Sequence, residues 1–134
     1  MSRGSDSLVA VVPPDSHLAV LDEVTWTELS LEPFVALQPG IGVRRLTDFG
    51  CASAGAAPHA VVTARGVATV AGLVAAGIGV SAVPQAVRPL IGFQPLPVRA
   101  LVEPTVTREI CLLGRDSPPP AAQAFRRAVA EAFA

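Results

Sequence analysis

Val70-Ala71-Gly72-Leu73-Val74-Ala75-Ala76-Gly77-Ile78-Gly79-Val80-Ser81-Ala82-Val83-Pro84 reads as two buried elements rather than as one apolar rod. From Val67 to Val83 the run falls short of the ~20 residues that a membrane span needs. Gly72, Gly77 and Gly79 break it and Pro84 closes it. The pattern predicts a helix from about Ala68 to Ala76, with Gly77 at its end, then a strand over Gly79–Val83. That helix is apolar around nearly its whole circumference, which predicts burial on several sides.

Working back towards the start, His59–Ala64 is a strand candidate ending at Arg65-Gly66. Before it, a helix is expected from about Val43 to Ala54, with Val43, Leu46 and Phe49 (or Gly50) as its apolar stripe. Gly55 is its natural stop. Gln38-Pro39-Gly40-Ile41-Gly42 forms a turn after the strand Pro33–Leu37. Thr25-Trp26-Thr27-Glu28 has the form of a capping box and predicts a short helical turn. Leu8–Val12 is continuously apolar and halted by Pro13-Pro14, as befits a strand covered on both faces. The fold class expected is α/β, with parallel strands joined by right-handed crossovers.

Beyond Pro84 the sequence offers strands at Phe93–Leu96 and Arg108–Gly114. A last helix is expected after Ser117-Pro118, with Phe125, Val129 and Phe133 on one face. Residues 1–7 are polar, have no apolar segment of the signal-peptide kind, and read as a disordered lead-in.

The chain has 134 residues, 51% of them hydrophobic, and a formal net charge of −1. One domain of ordinary size with its own core fits that composition. A phosphate-tracking surface does not. All ten basic residues are arginine. Cys51 and Cys111 are far apart, which fits a reduced, cytoplasmic setting and neither a disulfide framework nor a metal site. His17 and His59 are equally isolated, and no metal or other cofactor is expected. No phosphate loop, dinucleotide fingerprint, Gly-x-Ser-x-Gly elbow or paired carboxylate motif occurs, so catalysis has no support.

Two loops have a physical reason to bind a small anion. Gln38-Pro39-Gly40-Ile41-Gly42 lies between a strand end and a helix start, where free N–H groups and the helix dipole favour negative charge. Arg44 and Arg45 stand in the first turn of that helix. Arg65-Gly66-Val67, with Thr69, is the same kind of junction, and its arginine can hold a carboxylate bidentately. In open α/β sheets ligands bind at that carboxyl edge.

Leu8-Val9-Ala10-Val11-Val12-Pro13-Pro14-Asp15-Ser16-His17, Thr25-Trp26-Thr27-Glu28-Leu29, Glu32-Pro33-Phe34-Val35, the Val70–Pro84 run and the tail from Arg108 through Ser117-Pro118 to Ala124-Phe125 follow one another in an order that resembles the effector-binding domain of LysR-type bacterial transcription regulators. The resemblance implies a type 2 periplasmic-binding-protein-like fold, with two α/β subdomains and an effector cleft between them. It makes residues 8–92 the second subdomain, nearly complete, and 93–134 the return strands and C-terminal helix of the first. It places effector contacts at Gln38, Pro39, Gly40, Ile41 and Gly42 and at Arg65, Gly66 and Val67, with Pro84 bordering the cleft. The function implied is effector sensing: a small organic anion is the ligand, and DNA is contacted only through a winged helix-turn-helix absent from these residues. A stand-alone solute-binding or enzyme fragment of the same fold, or a ligand-free oligomerisation module, is the alternative. Gly50-Cys51 is expected to interrupt a helix that is more regular in the family. Apolar surface left on Leu8–Val12, Arg108–Gly114 and the last helix predicts self-association as a dimer, or strand exchange.

Overall fold

The computed structural model describes residues 2–132. The chain divides into two compact units. The larger is Ser7–Val106; the smaller joins the residues before Ser7 to those from Thr107 onward.

In the larger unit, β1 (Ser2–Val11, shared with the smaller unit) is paired on one side with β5 (Ser81–Pro84) and on the other with β6 (Val98–Val102). β2 (Glu23–Thr25) adds to the far side of β6. β3 (Pro33–Leu37) and β4 (His59–Ala64) pair in parallel. A bridge between Phe34 and Val80 carries the sheet on from β5 to β3. It is sealed by Val35 N–H to Val80 O and Val80 N–H to Pro33 O, both 2.8 Å. The Ser81 hydroxyl donates to Val35 O at 2.6 Å across the same seam. A Cβ at Gly79 would overlap the Pro33 carbonyl there, so only glycine permits this approach.

The strand direction departs from the all-parallel expectation. β2, β6, β5, β3 and β4 point one way, and β1 runs against them. The connection after β1 holds Pro13-Pro14 and a single 3-10 turn, His17–Val20. It is too short to recross the sheet, so β2 starts at the edge where β1 stops. β2 itself, three residues long, carries too little pattern to be read from sequence.

Alternation on the strands feeds two cores. Leu8 and Ala10 of β1, with Val12 just past its end, join Phe34 and Ala36 of β3 and Ala82 of β5 on one face. Val9, Val11, Val35, Leu37 and Val83 fill the other. The first face is covered by α1 (Trp26–Ser30) and α2 (Gly42–Ser53), through Trp26, Leu29 and Cys51. The second is covered by α3 (Val67–Ala75) and α4 (Arg88–Ile91), through Val70, Ala71, Val74 and Ile91. This is the doubly covered sheet that the continuous apolar run of β1 implied.

Local chemistry sets the element ends. The capping box at Thr25 forms as expected, with Glu28 N–H to Thr25 Oγ1 at 3.1 Å and Thr25 N–H to Glu28 Oε1 at 3.0 Å. α2 and α3 both end in Schellman turns, at Gly55 (φ 73°) and Gly77 (φ 86°). At the latter, Gly77 N–H bonds Val74 O and Ile78 N–H bonds Leu73 O. α2 runs unbroken through Gly50-Cys51, against expectation. Gly50 is needed because a Cβ would overlap the Trp26 indole. α3 buries one face only, and Ala68 and Thr69 are exposed.

Two further expectations are corrected. Phe93–Leu96 is not a strand, because Pro95 and Pro97 remove ladder donors; the strand there is β6. β1 begins at Ser2, six residues before the apolar run, so the polar start is paired backbone rather than a disordered lead-in. The compact units meet at Val106/Thr107.

The smaller unit has β7 (Thr107–Leu112), paired with β1, and α5 (Pro120–Ala132). Arg108 Nη2 meets Asp6 Oδ2 at 3.3 Å within it. α5 starts at Pro120 rather than Pro118. A residue before proline is driven out of helical conformation, so of three successive prolines only the last can open the helix. Phe133, the third residue of the expected stripe, lies outside the described residues.

Candidate functional site

The carboxyl ends of β2, β6, β5, β3 and β4 share one edge of the larger unit. Here the two loops singled out from sequence come together. β3 and β4 end in register, Leu37 opposite Ala64. Gln38 then donates its N–H to Ala64 O at 3.0 Å, tying the first loop to the strand end that opens the second. Gln38 O accepts from Ile41 N–H at 3.2 Å and closes the turn, with Gly40 at φ 95°.

Both helices that leave this edge lack a side-chain cap. The N-cap of α2 is Ile41 and that of α3 is Gly66, and neither provides a side-chain hydrogen bond. In α2 the amides of Gly42 and Val43 have no acceptor among the described residues; in α3 the same holds for Val67, Ala68 and Thr69. Two sets of free donors, each with the positive end of a helix dipole, face the same edge. Pro39, Gly40, Gly42, Arg65 and Gly66 are exposed, Gln38 and Ile41 half-buried. Val67 is half-buried and packs into the second core. Pro84 is buried, opposite Leu8 in the β1–β5 ladder, and offers backbone rather than side chain.

The two arginines in the first turn of α2 divide. Arg44 turns back, donating to Leu37 O at 3.0 Å and pairing with Asp48 at 3.0 Å. It holds the end of β3 against the start of α2 and is not spare for a ligand. Arg45 is exposed. Only the fold separates these roles, since adjacent arginines look alike in sequence. No carboxylate or imidazole belongs to either loop.

The model of the LysR substrate binding domain family matches residues 3–134. The chain belongs to that family. Among LysR-type relatives, the uncharacterized HTH-type transcriptional regulator YfeR of Shigella flexneri is 37% identical over 103 residues, 77% of this chain and 33% of that protein. YybE of Bacillus subtilis (strain 168), also an uncharacterized HTH-type regulator, is 34% identical over 80 residues, 60% of this chain and 27% of that one. This chain thus spans about a third of the LysR-type relatives it matches. The effector binding domain of QuiR in complex with shikimate superposes with a TM-score of 0.78 at 21% identity, over 97% of this chain and 62% of that one. The regulatory domain of Synechocystis PCC6803 CcmR in complex with 2-PG gives 0.78 at 18%, over 98% and 66%. These likenesses establish the LysR effector-domain fold, type 2 periplasmic-binding-protein-like. Among the described residues no helix is long and apolar enough to cross a membrane.

Proposed function

We propose that this chain is the sensor of a LysR-type regulator, binding a small organic anion at Gln38–Gly42 and Arg65–Val67, beside Pro84. The observation that carries the reading is the junction of two uncapped helix starts through the Gln38–Ala64 hydrogen bond. Donors converge there without a protein acceptor, and Arg65 adds a bidentate partner for a carboxylate. Shikimate, bound by QuiR, is a carboxylate and supports the class of ligand.

Binding is expected to bias the chain's conformation and thereby a DNA-binding domain elsewhere in the regulator, without turnover of the ligand. Such a regulator works in the cytoplasm. Self-association is part of the proposal. α5 has no buried residue, and Ile110, Leu113 and Phe125 are exposed in the same unit.

Calorimetric titration with a panel of small carboxylates, shikimate among them, tests the reading. Saturable heat for at least one, reduced tenfold or more by Arg65→Gln, is the expected result. No saturable binding across the panel, or chemical conversion of a bound compound, would sink it. Light scattering checks self-association, and a clean monomer at high concentration counts against it.

A further inference from the structure

The same carboxyl edge continues past Pro84 into a hollow of about 280 Å³ beside the 3-10 turn Gln85–Val87 and the start of α4. Its floor is the sheet itself. Val9 and Val98 belong to the second core, and Ala100 stands opposite Val9 in the antiparallel ladder, so it shares that face. Val102, two residues on, lies on the face as well. α3 and α4 leave this part uncovered: Ala100 is exposed, Val98 and Val102 half-buried. The floor is therefore aliphatic and accessible.

The hollow has two arginines in its lining, Arg88 and Arg99, and no acidic residue. They are not equivalent. The Arg99 guanidinium is committed, donating to Ala19 O at 2.6 Å and Val98 O at 2.9 Å. Among the described residues the Arg88 backbone N–H donates to Gln85 O, and no hydrogen bond or ion pair engages its guanidinium. Gln85 and Thr105, both exposed, add polar groups at the rim. An aliphatic floor with one uncommitted guanidinium matches a ligand that has an apolar body and a single anionic end.

We propose that this hollow is a binding site of its own, taking a small carboxylate with an aliphatic body, held by Arg88 over Val9, Ala100 and Val102. It does not depend on the two helix-start loops, because none of their residues lines it.

Cyclohexanecarboxylate is the probe, followed by ¹H–¹⁵N NMR on the 134-residue chain. Saturating shifts are expected at the amides of Val9, Arg88, Ala100 and Val102. Arg88→Gln should weaken binding at least tenfold. Ala100→Leu, which fills the floor and leaves the charge, should weaken it too. Arg65→Gln should change nothing at this site, so the two sites stand or fall separately. Neutral cyclohexanecarboxamide should not saturate. Shifts confined to residues 38–42 and 65–67, undiminished affinity in both hollow variants, or equal binding of the amide would overturn the proposal.

Discussion

Gln38 and Ala64 are joined by one backbone hydrogen bond of 3.0 Å, and it brings the ends of two neighbouring strands to a common ledge. The turn depends on Gly40, whose φ of 95° is one that L side chains rarely adopt. Gly42, two residues later, has ordinary helical backbone and open space where a Cβ would go. Gly40→Ala is expected to cost about 1–2 kcal/mol. Gly42→Ala, at the first position of α2, should leave stability unchanged or raise it by no more than the roughly 0.5–1 kcal/mol that a mid-helix glycine costs. Urea unfolding of both variants checks the contrast, and equal losses would refute it.

Gly50 has its reason in Trp26. The indole lies where a Cβ at position 50 would sit, and its Nε1–H donates to Pro104 O at 2.9 Å, which limits how far the ring can move. Gly50→Ala should destabilise by about 1–3 kcal/mol through overpacking, despite its better helix propensity. Trp26 is the one tryptophan in the chain and is fully buried. Its fluorescence should report the loss directly, as a red-shifted emission or an earlier urea midpoint.

The capping box predicts a loss of about 1 kcal/mol for Thr25→Ala. Thr25→Ser keeps the oxygen that accepts from Glu28 N–H and should recover most of it. A thermal melt in which Ser and Ala behave alike would show that the hydroxyl does not act as the cap.

The two cysteines should differ in reactivity. Cys51 is buried, and burial pushes its thiol above the ordinary cysteine value. The hydrogen bond from Ser30 at 3.4 Å and the charge of Arg44 oppose that shift, and the charge of Asp48 adds to it. Cys111 is exposed. A thiol reagent at pH 8 should modify Cys111 quickly and Cys51 only as the protein unfolds. Because the folded value of Cys51 is raised, its contribution to stability is full below the ordinary cysteine range of about 8.5. It is lost as pH rises through the folded value. Stability of a Cys51→Ser variant relative to the parent, followed from pH 7 to 10, should therefore show a shrinking difference.

Much of the architecture was legible because it is local. Apolar runs bounded by glycine and proline marked β3 and β4 and most of β5, and the glycines at 55 and 77 marked the ends of α2 and α3. The loops at Gln38–Gly42 and Arg65–Val67 could be named because a strand end followed by a helix start is a sequence-level pattern. Tertiary placement decided what local pattern cannot carry. The direction of β1 depends on which edge the chain re-enters, and that is set by the short connection after Pro14 rather than by residues of the strand. The division of labour between Arg44 and Arg45 depends on whether a guanidinium can reach the Leu37 carbonyl. Arg88, in no motif, gained a role only because β6, 98–102, passes beside it and supplies an apolar floor. Period and punctuation are written in adjacent residues; contact between residues distant in the chain is fixed only when the strands pair.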